Sequence, residues 1–474
     1  MSELSRIEPR SRCKQPLNPH QSLAYALPTV TVAFLYSPIA FIQGIYAKYF
    51  GLSLTTIAGI LLLARLFDAV TDPVVGYFSD RYYARKGNRK IFVLGGGLLF
   101  VCCSYFLYIP AGINATAPYT PISSWYFLVS LTLFYLAWTI FEIPHLAWGC
   151  ELATSNQNRT AIFSLRALGV FLGYLLFYAI PFLPIFDNKG FTPQTLIWLV
   201  LMGAILMPLI LYYSIKTVPA QKSGHEPQNL SIGKPVVKTN LYVLWPILTN
   251  NKPLLLFLAA FFFSGAGAGM TSGMMYIFAD SYLGLGEHLP LVYFLCMFIG
   301  TLSIWGWNNL ATVFSKIIAW GLGAVIIIIG VLATHLLVPG ESGWLSLLFV
   351  SSLLSIGSAA NIVLAPALLS DIIDYGTWKF GQDYAGTYFS LYTLITKANF
   401  AIGGAISLGV AGAFGFDATA LNHSLGQIFG LHLGLVYIPA FTVSVSLIFI
   451  ILTPLTNRRY QVIRRRSDGR EARS

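Results

Sequence analysis

Twelve long apolar segments follow one another along the chain, and they constrain the fold more than any other feature. A helix of about 20 apolar residues spans the hydrocarbon core of a bilayer. Within lipid every backbone polar group needs an internal partner, so only helices and closed barrels can cross it. The segments are continuous rather than alternating, which favours helices over a β-barrel. The sequence therefore predicts an all-α membrane protein with twelve transmembrane helices.

The predicted helices lie at about 23–48, 54–79, 90–112, 124–149, 160–183, 195–215, 251–281, 288–311, 313–337, 343–369, 383–415 and 430–455.

Composition agrees with this fold and excludes several classes of protein. Hydrophobic residues make up 56% of the 474 residues, and charged residues only 10%. An ordinary soluble domain has about 25% charged residues. A soluble enzyme, a disordered chain and a disulfide-stapled secreted module are therefore excluded. The five cysteines show no metal-ligand spacing, and the chain has no nucleotide loop or nucleophile motif, so we expect neither enzymatic activity nor a cofactor.

A long polar segment at 216–250 divides the chain into two sets of six helices. It contains KSGHEPQNLSIGKP, which is rich in turn residues. The predicted organisation is a basic N-terminus at 1–22, a six-helix bundle at 23–215, this linker, a second bundle at 251–455 and a basic tail at 456–474. Residues 241–248 suggest a short interfacial helix within the linker. Two such halves are typical of transporters with a site near the membrane midplane.

The basic residues predict the orientation in the membrane. Of the 29 Lys and Arg, 24 lie in the termini, in the linker and in loops on one side, and two, Lys48 and Lys189, lie in loops on the other. Cytoplasmic loops carry an excess of Lys and Arg. We therefore expect a multi-pass protein of the cytoplasmic (inner) membrane, with both termini cytoplasmic. This distribution explains the net charge of +11 without nucleic acid as a partner.

The second predicted helix carries two acids and a base on one face. Asp68 and Asp72 are four residues apart, and Arg65 lies one turn before Asp68. Two carboxylates this close in a low dielectric cannot both stay charged without a cation. A proton, a sodium ion or basic neighbours could supply that charge. The alternative is a static ion pair that holds this helix to a neighbour.

Glu142 and Arg166 lie inside the fourth and fifth predicted helices. A carboxylate and a guanidinium that face one cavity can hydrogen-bond several hydroxyls of a polar ligand. The alternative is a plain ion pair between adjacent helices. Each charge inside a bilayer costs at least about 2.5 kcal/mol, so the presence of each needs an explanation.

Lys397 lies in the middle of the eleventh predicted helix, too deep to reach the membrane surface easily. An acidic partner or a water-filled cavity would explain it. The small residues that follow, GGAISLGVAG, favour close helix packing. Asp371 and Asp374 lie at the cytoplasmic end of the tenth predicted helix. They could serve a coupling gate or simply cap the loop.

These segments resemble those of the glycoside–pentoside–hexuronide:cation symporters, the melibiose-permease group of the major facilitator superfamily. The strongest likeness is RLFDAVTDPVVGYFSDR, which resembles the family's Arg-x-x-Asp-x-x-x-Asp-Pro signature. FEIPHLAW, ELATSNQNRTAIFSLR, DIIDYGTWK and TLITKA also resemble family segments. The resemblance covers most of the chain and implies the major facilitator fold.

The resemblance also implies roles for individual residues. Asp68 and Asp72 would be ligands of the coupling cation, a metal site if the ion is Na⁺, and Thr139 a hydroxyl ligand. Thr71 stands where melibiose permeases have an Asn and keeps one oxygen. Glu142 and Arg166 would bind the sugar. Arg65 and Lys397 would assist in substrate binding, and Lys397 with Asp371 and Asp374 in coupling or gating.

Two departures from the family pattern bear on the substrate. The family's sugar-binding Asp on the first helix is Val32 here, and the aromatic residue after the helix-four acid is Leu146. These changes argue against galactosides and leave another glycoside, a pentoside, a uronide or a less polar ligand.

The sequence therefore predicts a monomeric secondary transporter in the lipid bilayer that couples Na⁺ or H⁺ to symport of a small molecule, expected to be a sugar or glycoside. Two alternatives stay open. One is a cation-coupled symporter of an amphipathic, lysolipid-like substrate, since animal lysolipid symporters share the fold. The other is a non-transporting sensor that keeps it.

Overall fold

The computed structural model describes residues 18–110, 112, 119–152, 156–186, 189–219, 249–381, 385–420 and 422–454, with only the backbone of 156–160, 385 and 386. Within these ranges, twelve helical segments are long and apolar enough to cross a membrane. The chain is an all-α multi-pass membrane protein. The predicted interfacial helix at 241–248 and both terminal segments lie outside the described residues.

The α-helices, in chain order, are α1 (Pro19–Tyr36), α2 (Ile42–Phe50), α3 (Leu54–Lys86), α4 (Lys90–Tyr108), α5 (Ser124–Leu152), α6 (Asn156–Ala179), α7 (Pro193–Thr217), α8 (Lys252–Ile277), α9 (Leu289–Val313), α10 (Lys316–Thr334), α11 (Trp344–Phe380), α12 (Ala385–Ala413), α13 (Leu425–His432) and α14 (Ile438–Leu452).

The helices form two bundles. In the first half, α1 packs against α6 and α7, and α5 packs against α3 and α4. In the second half, α8 packs against α12 and α14, and α11 packs against α9 and α10. The halves meet mainly where α3 lies along α12 and where α6 lies along α9. Any site between the halves is therefore lined by these four helices and their neighbours.

The two ends of the molecule differ in charge. The basic face is the end where α3 stops and α4 begins, at the Lys- and Arg-rich loop. The opposite face is the end that carries α2 and the start of α9. Successive spanning helices run alternately between these faces.

The first spanning segment is broken, so the prediction of one helix over 23–48 is wrong. A 3₁₀ turn at Ser37–Ala40 separates α1 from α2, with Pro38 at its start. Proline lacks a backbone donor, and Phe41 leaves the helical region with φ −136°. A similar irregularity ends α8, where Phe278–Tyr282 form a π-helical turn. Such turns occur frequently at functional sites.

Three other predicted boundaries are wrong by several residues. The second and tenth predicted helices continue to Lys86 and Phe380, where Gly87 and Gly381 end them with φ values of 70° and 71°. A left-handed residue at this position ends many helices, and glycine adopts it without steric cost. The twelfth begins earlier, at Leu425, where the Ser424 hydroxyl accepts a hydrogen bond from the Gln427 backbone.

Glycines allow α8 and α12 to approach closely, as predicted from the small residues after Lys397. A Cβ atom on Gly269 would lie 2.6 Å from the carbonyl oxygen of Asn399. A Cβ atom on Gly273 would lie 2.9 Å from the Cα atom of Gly404. This contact fixes the position of α12 and therefore of Lys397.

Candidate functional site

Asp68, Asp72 and Thr139 form the centre of the candidate site. The two acids lie on one face of α3, and Thr139 faces them from α5. The Thr139 hydroxyl lies 3.2 Å from Oδ1 of Asp68 and 3.0 Å from Oδ1 of Asp72. Thr139 is fully buried and Asp68 is 1% exposed. A hydroxyl has a single proton to donate, so it cannot satisfy both carboxylates at once.

Lys397 supplies positive charge to this centre from the other half of the molecule. Its ammonium group forms an ion pair with Oδ2 of Asp72 and lies 3.6 Å from Oδ2 of Asp68. Its side chain is 28% exposed, which leaves solvent access to the pair. The predicted acidic partner of Lys397 is therefore present, and it links α12 of the second half to α3 of the first.

Arg65 extends the centre along α3. Its guanidinium lies 3.4 Å from Oδ2 of Asp68 and 3.5 Å from the hydroxyl of Tyr36. It also lies over the ring of Tyr135, 3.9 Å from the ring centre. Tyrosine faces attract cations through their quadrupole. Arg65 is therefore held on three sides.

The ion cluster, defined as Arg65, Asp68, Asp72, Thr139 and Lys397, contains two acids and two bases. Its oxygens lie close enough together for a small cation to contact several of them. A bound cation would compete with the Lys397 ammonium group, because both neutralise the same carboxylates. The cluster can therefore exchange one positive charge for another.

Thr71 makes a different contact from the one expected. Its hydroxyl donates to the backbone carbonyl of Asp68, at 3.2 Å, within α3. The described contacts do not join it to the carboxylates. Its role as a cation ligand stays a prediction.

Glu142 and Arg166 form an ion pair between α5 and α6. The side chains are 15% and 14% exposed. The Nε atom of Arg166 is buried and has no hydrogen-bond partner among the described residues. The structure thus brings the two predicted sugar-binding residues together and leaves one donor of the guanidinium unused.

Asp371 is paired within the second half. Its carboxylate accepts hydrogen bonds of 2.7 and 2.8 Å from Lys316, at the start of α10. Asp374 is exposed one turn later on α11. The Lys316 pair ties α10 to α11 at the basic face and does not cross to the first half. A gating role for either acid stays a prediction.

A cavity of about 640 Å³ lies between the two halves. The first half contributes Arg65 and aromatic rings, and the second contributes mostly small and hydroxyl-bearing residues. Its lining includes Tyr36, Gln43, Arg65, Tyr135, Tyr174, Tyr178, Thr271, Ser272, Tyr293, Cys296, Ser351, Ser355, Ser358, Phe400 and Gly404. Apart from Arg65, the sequence analysis found none of these residues, because they converge only when the halves dock.

The ionic residues lie nearer to the basic face than the cavity does. On α3 the lining residues Leu61 and Arg65 precede Asp68 and Asp72, and this helix runs towards the basic face. On α12, which runs the other way, Lys397 precedes the lining residues Phe400 and Gly404.

The same order holds on α5 and α6. Tyr135 lines the cavity one turn before Thr139, and Glu142 follows nearer the basic face. On α6, Arg166 precedes the lining residues Tyr174 and Tyr178. The ion cluster and the Glu142–Arg166 pair therefore lie between the cavity and the basic face.

Contacts between the halves close the opposite face. Lys48 at the end of α2 forms a 2.6 Å ion pair with Asp280 in the π-helical turn after α8. The Gln43 amide donates to the carbonyl oxygen of Gly273 at 3.1 Å. The Tyr276 hydroxyl donates to the carbonyl oxygen of Phe191 at 3.0 Å.

The described residues contain no group of three His, Cys, Asp or Glu placed to hold a metal ion. The cation site expected from the resemblance has a different composition, with two acids and a hydroxyl.

The sequence is similar to a known protein family and to several of its members. The profile of the family described as MFS/sugar transport protein matches residues 22–457. The uncharacterized symporter YjmB of Bacillus subtilis is 25% identical over 431 residues, which cover 88% of each chain. The glucuronide carrier protein homolog of Escherichia coli is 21% identical over 485 residues, covering 96% of this chain and 97% of the relative.

A solved structure shows the same fold. The crystal structure of a bacterial homolog of the human lysosomal transporter Spinster, in an inward-facing and unoccupied conformation, superposes with a TM-score of 0.62. The match covers 94% of this chain and 96% of that one, at 15% identity.

The ion cluster predicts how the protein responds to loss of Lys397. Lys397→Met leaves two neighbouring carboxylates without their ammonium partner, so we expect a lower melting temperature in sodium-free buffer at neutral pH. The loss of such a charged hydrogen bond costs about 1.5–3 kcal/mol. Sodium, or a pH low enough to protonate a carboxylate, should restore much of the melting temperature.

Lys397→Arg is the matched control, because it keeps the charge and should keep the melting temperature near that of the wild type. If Lys397→Met melts like the wild type whatever the sodium concentration and pH, the ammonium group is not what neutralises the carboxylates.

Proposed function

The chain belongs to the family of MFS/sugar transport proteins, and from this premise we propose that it is a secondary active transporter that couples Na⁺ or H⁺ to the symport of a sugar or glycoside. It is a transporter rather than an enzyme, as the family shows. The coupling ion, the substrate and the direction are the parts that the proposal adds.

The observation that carries the proposal is the ion pair of Lys397 with Asp72 across the two halves. A cation that binds Asp68 and Asp72 neutralises their negative charge in place of the Lys397 ammonium group. Cation binding therefore releases a link between α3 and α12, the helices that must move relative to each other in alternating access. A static pair within one half would not have this consequence.

In this mechanism Asp68, Asp72 and Thr139 hold the coupling ion. A sodium ion would take carboxylate and hydroxyl oxygens as ligands, and a proton would need one carboxylate. Thr71 is a further oxygen near the site if its hydroxyl turns from the Asp68 carbonyl. The cluster suits either ion, since the requirement is one positive charge.

The substrate would occupy the cavity between the halves. Aromatic rings and hydroxyl groups line it, and such surfaces bind the apolar faces and the hydroxyls of sugars. Glu142 and Arg166 lie on the side of this cavity that faces the basic end, where they would hydrogen-bond hydroxyls of the bound sugar. Arg65 joins the two sites, because it lines the cavity and contacts Asp68.

The two halves would rock about this site. With the basic face in the cytoplasm, as its Lys and Arg indicate, the closed face is the external one. Each ligand shifts the equilibrium only by its difference in affinity for the two states. One charge moving through 100 mV yields about 2.3 kcal/mol, or roughly fifty-fold accumulation of a neutral solute.

Asp72→Asn tests the cation site. The variant loses a charged ligand, so we expect it to lose uptake of glycoside against a gradient when a sodium or proton gradient is imposed on vesicles. Asp417→Asn, in an exposed loop at the opposite face, is the matched control and should accumulate normally. Full accumulation by Asp72→Asn would rule out the assignment of this carboxylate.

Glu142→Gln separates a substrate role from a structural one. We expect glycoside affinity, measured by isothermal titration, to fall about tenfold or more, since a charge-assisted hydrogen bond is lost. Stabilisation by the coupling ion should stay unchanged.

The exchange of both charges, Glu142→Arg with Arg166→Glu, should not restore binding if the pair touches substrate. Restored binding would show a plain ion pair between α5 and α6.

We expect the ion pair of Lys48 with Asp280 to limit access to the cavity from the opposite face. In protein whose other cysteines are replaced by alanine, Cys296 in the cavity reports access. Lys48→Gln should raise several-fold the rate at which a membrane-impermeant maleimide added at the opposite face labels Cys296. The swap Lys48→Asp with Asp280→Lys should lower the rate again.

Lys189→Gln is the matched control, because Lys189 is exposed on the same face. Equal labelling rates in Lys48→Gln, Lys189→Gln and the wild type would show that this ion pair does not hold the face closed.

A further inference from the structure

A row of serines on α11 forms one wall of the cavity. Ser351, Ser355 and Ser358 are spaced four and three residues apart, so they lie on one face of the helix. All three line the cavity. We call this wall the serine face. It belongs to the second half, whereas the ion cluster acids and the Glu142–Arg166 pair belong to the first.

Ser351 carries a hydroxyl without a partner. Its side chain is 8% exposed, and Oγ has no hydrogen bond among the described residues. Buried polar groups in native proteins are nearly always hydrogen-bonded, and an unsatisfied one costs stability. Since Ser351 lines the cavity, a ligand there would supply the missing partner once rotation about the Cα–Cβ bond turns the hydroxyl towards it.

Two neighbouring serines already use their hydroxyls in hydrogen bonds within the protein. The Ser355 hydroxyl donates to the carbonyl oxygen of Cys296 at 2.7 Å, which ties α11 to α9. Ser358 is half-buried and lies two turns along the helix from Ser351. Ser352, beside the row, donates to its own helix at Leu348 and is absent from the lining.

The two walls of the cavity differ in chemistry. The first half presents Arg65 with the rings of Tyr36, Tyr135 and Tyr174. The second presents the serine face with Thr271 and Ser272, and two aromatic rings, those of Tyr293 and Phe400. Cavities of about 300–1,000 Å³ hold drug-sized ligands, so 640 Å³ offers more room than one sugar ring needs.

We propose that the serine face is a second subsite, which binds the hydroxyls of the distal part of an elongated ligand, such as the second ring of a disaccharide. Ser351 and Ser358 exchange hydrogen bonds with these hydroxyls, while the aromatic wall holds the first ring. This inference rests on the proposed function, since it assigns the size and chemistry of the substrate of the same site.

The experiment uses pairs of probes that share their non-reducing sugar. Each pair is a methyl glycoside and the matching disaccharide, for glucose, xylose and glucuronic acid, titrated into the purified full-length protein with Na⁺ present. Ser351→Ala, Ser358→Ala and the control Ser352→Ala are compared with the wild type, after their melting temperatures have been checked.

We expect Ser351→Ala and Ser358→Ala to weaken disaccharide binding about three- to tenfold, the effect of one net hydrogen bond. Binding of the methyl glycoside with the same sugar should change less than about twofold, and Ser352→Ala should behave like the wild type. A site built to bind a hydroxyl discriminates in this way.

Each of the other outcomes contradicts the second subsite, and one of them also contradicts the proposed sugar specificity. Equal weakening of disaccharide and methyl glycoside would place the first ring on the serine face and contradict the second subsite. Disaccharide binding that the alanine variants leave unchanged would also contradict it, while the proposed function stands. Failure of every probe to bind the wild type would overturn the proposed sugar specificity and this inference together.

Discussion

The contact of Lys397 with Asp68 and Asp72 is the interaction on which the functional organisation depends. It brings opposite charges together inside a membrane protein, where either charge alone would be costly. It also joins the two halves near the middle of the molecule. Because the carboxylates need a positive charge and Lys397 is one of several possible sources, the contact is stable and replaceable at once. A simple structural ion pair has only the first property.

The surrounding fold holds this contact in place. The glycines of α8 and α12 bring those helices together closely enough to fix Lys397 opposite α3. The broken first segment and the π-helical turn after α8 place Lys48 and Asp280 at the opposite face, where they close the space between the halves. The cavity lies between this closure and the ion cluster. Substrate site and cation site are thus adjacent, and Arg65 contacts both.

The ionic residues could be predicted from the sequence, because helical spacing and the cost of a charge in a membrane can be judged one helix at a time. Asp68 and Asp72 share a face through helical spacing, and a lysine in the middle of a membrane helix requires an acidic partner or a water-filled cavity. The cavity lining could not be found in this way. Serine, tyrosine and glutamine residues are found in many membrane helices. Only the docking of the two halves shows which of them, such as Gln43, converge on the cavity. The break at Ser37–Ala40 had a signal in Pro38, but a proline inside a helix such as Pro73 in α3 shows that the signal is not decisive.

The central claim is that cation and substrate move together, and cation movement driven by substrate tests it most directly. Purified protein in sealed vesicles, with no ion gradient and no membrane potential, would be given an inward gradient of a glycoside that binds it. The account predicts inward movement of sodium, or of protons shown by internal acidification, in fixed proportion to the glycoside. Glycoside entry without movement of either ion would contradict it and leave a uniporter with this fold.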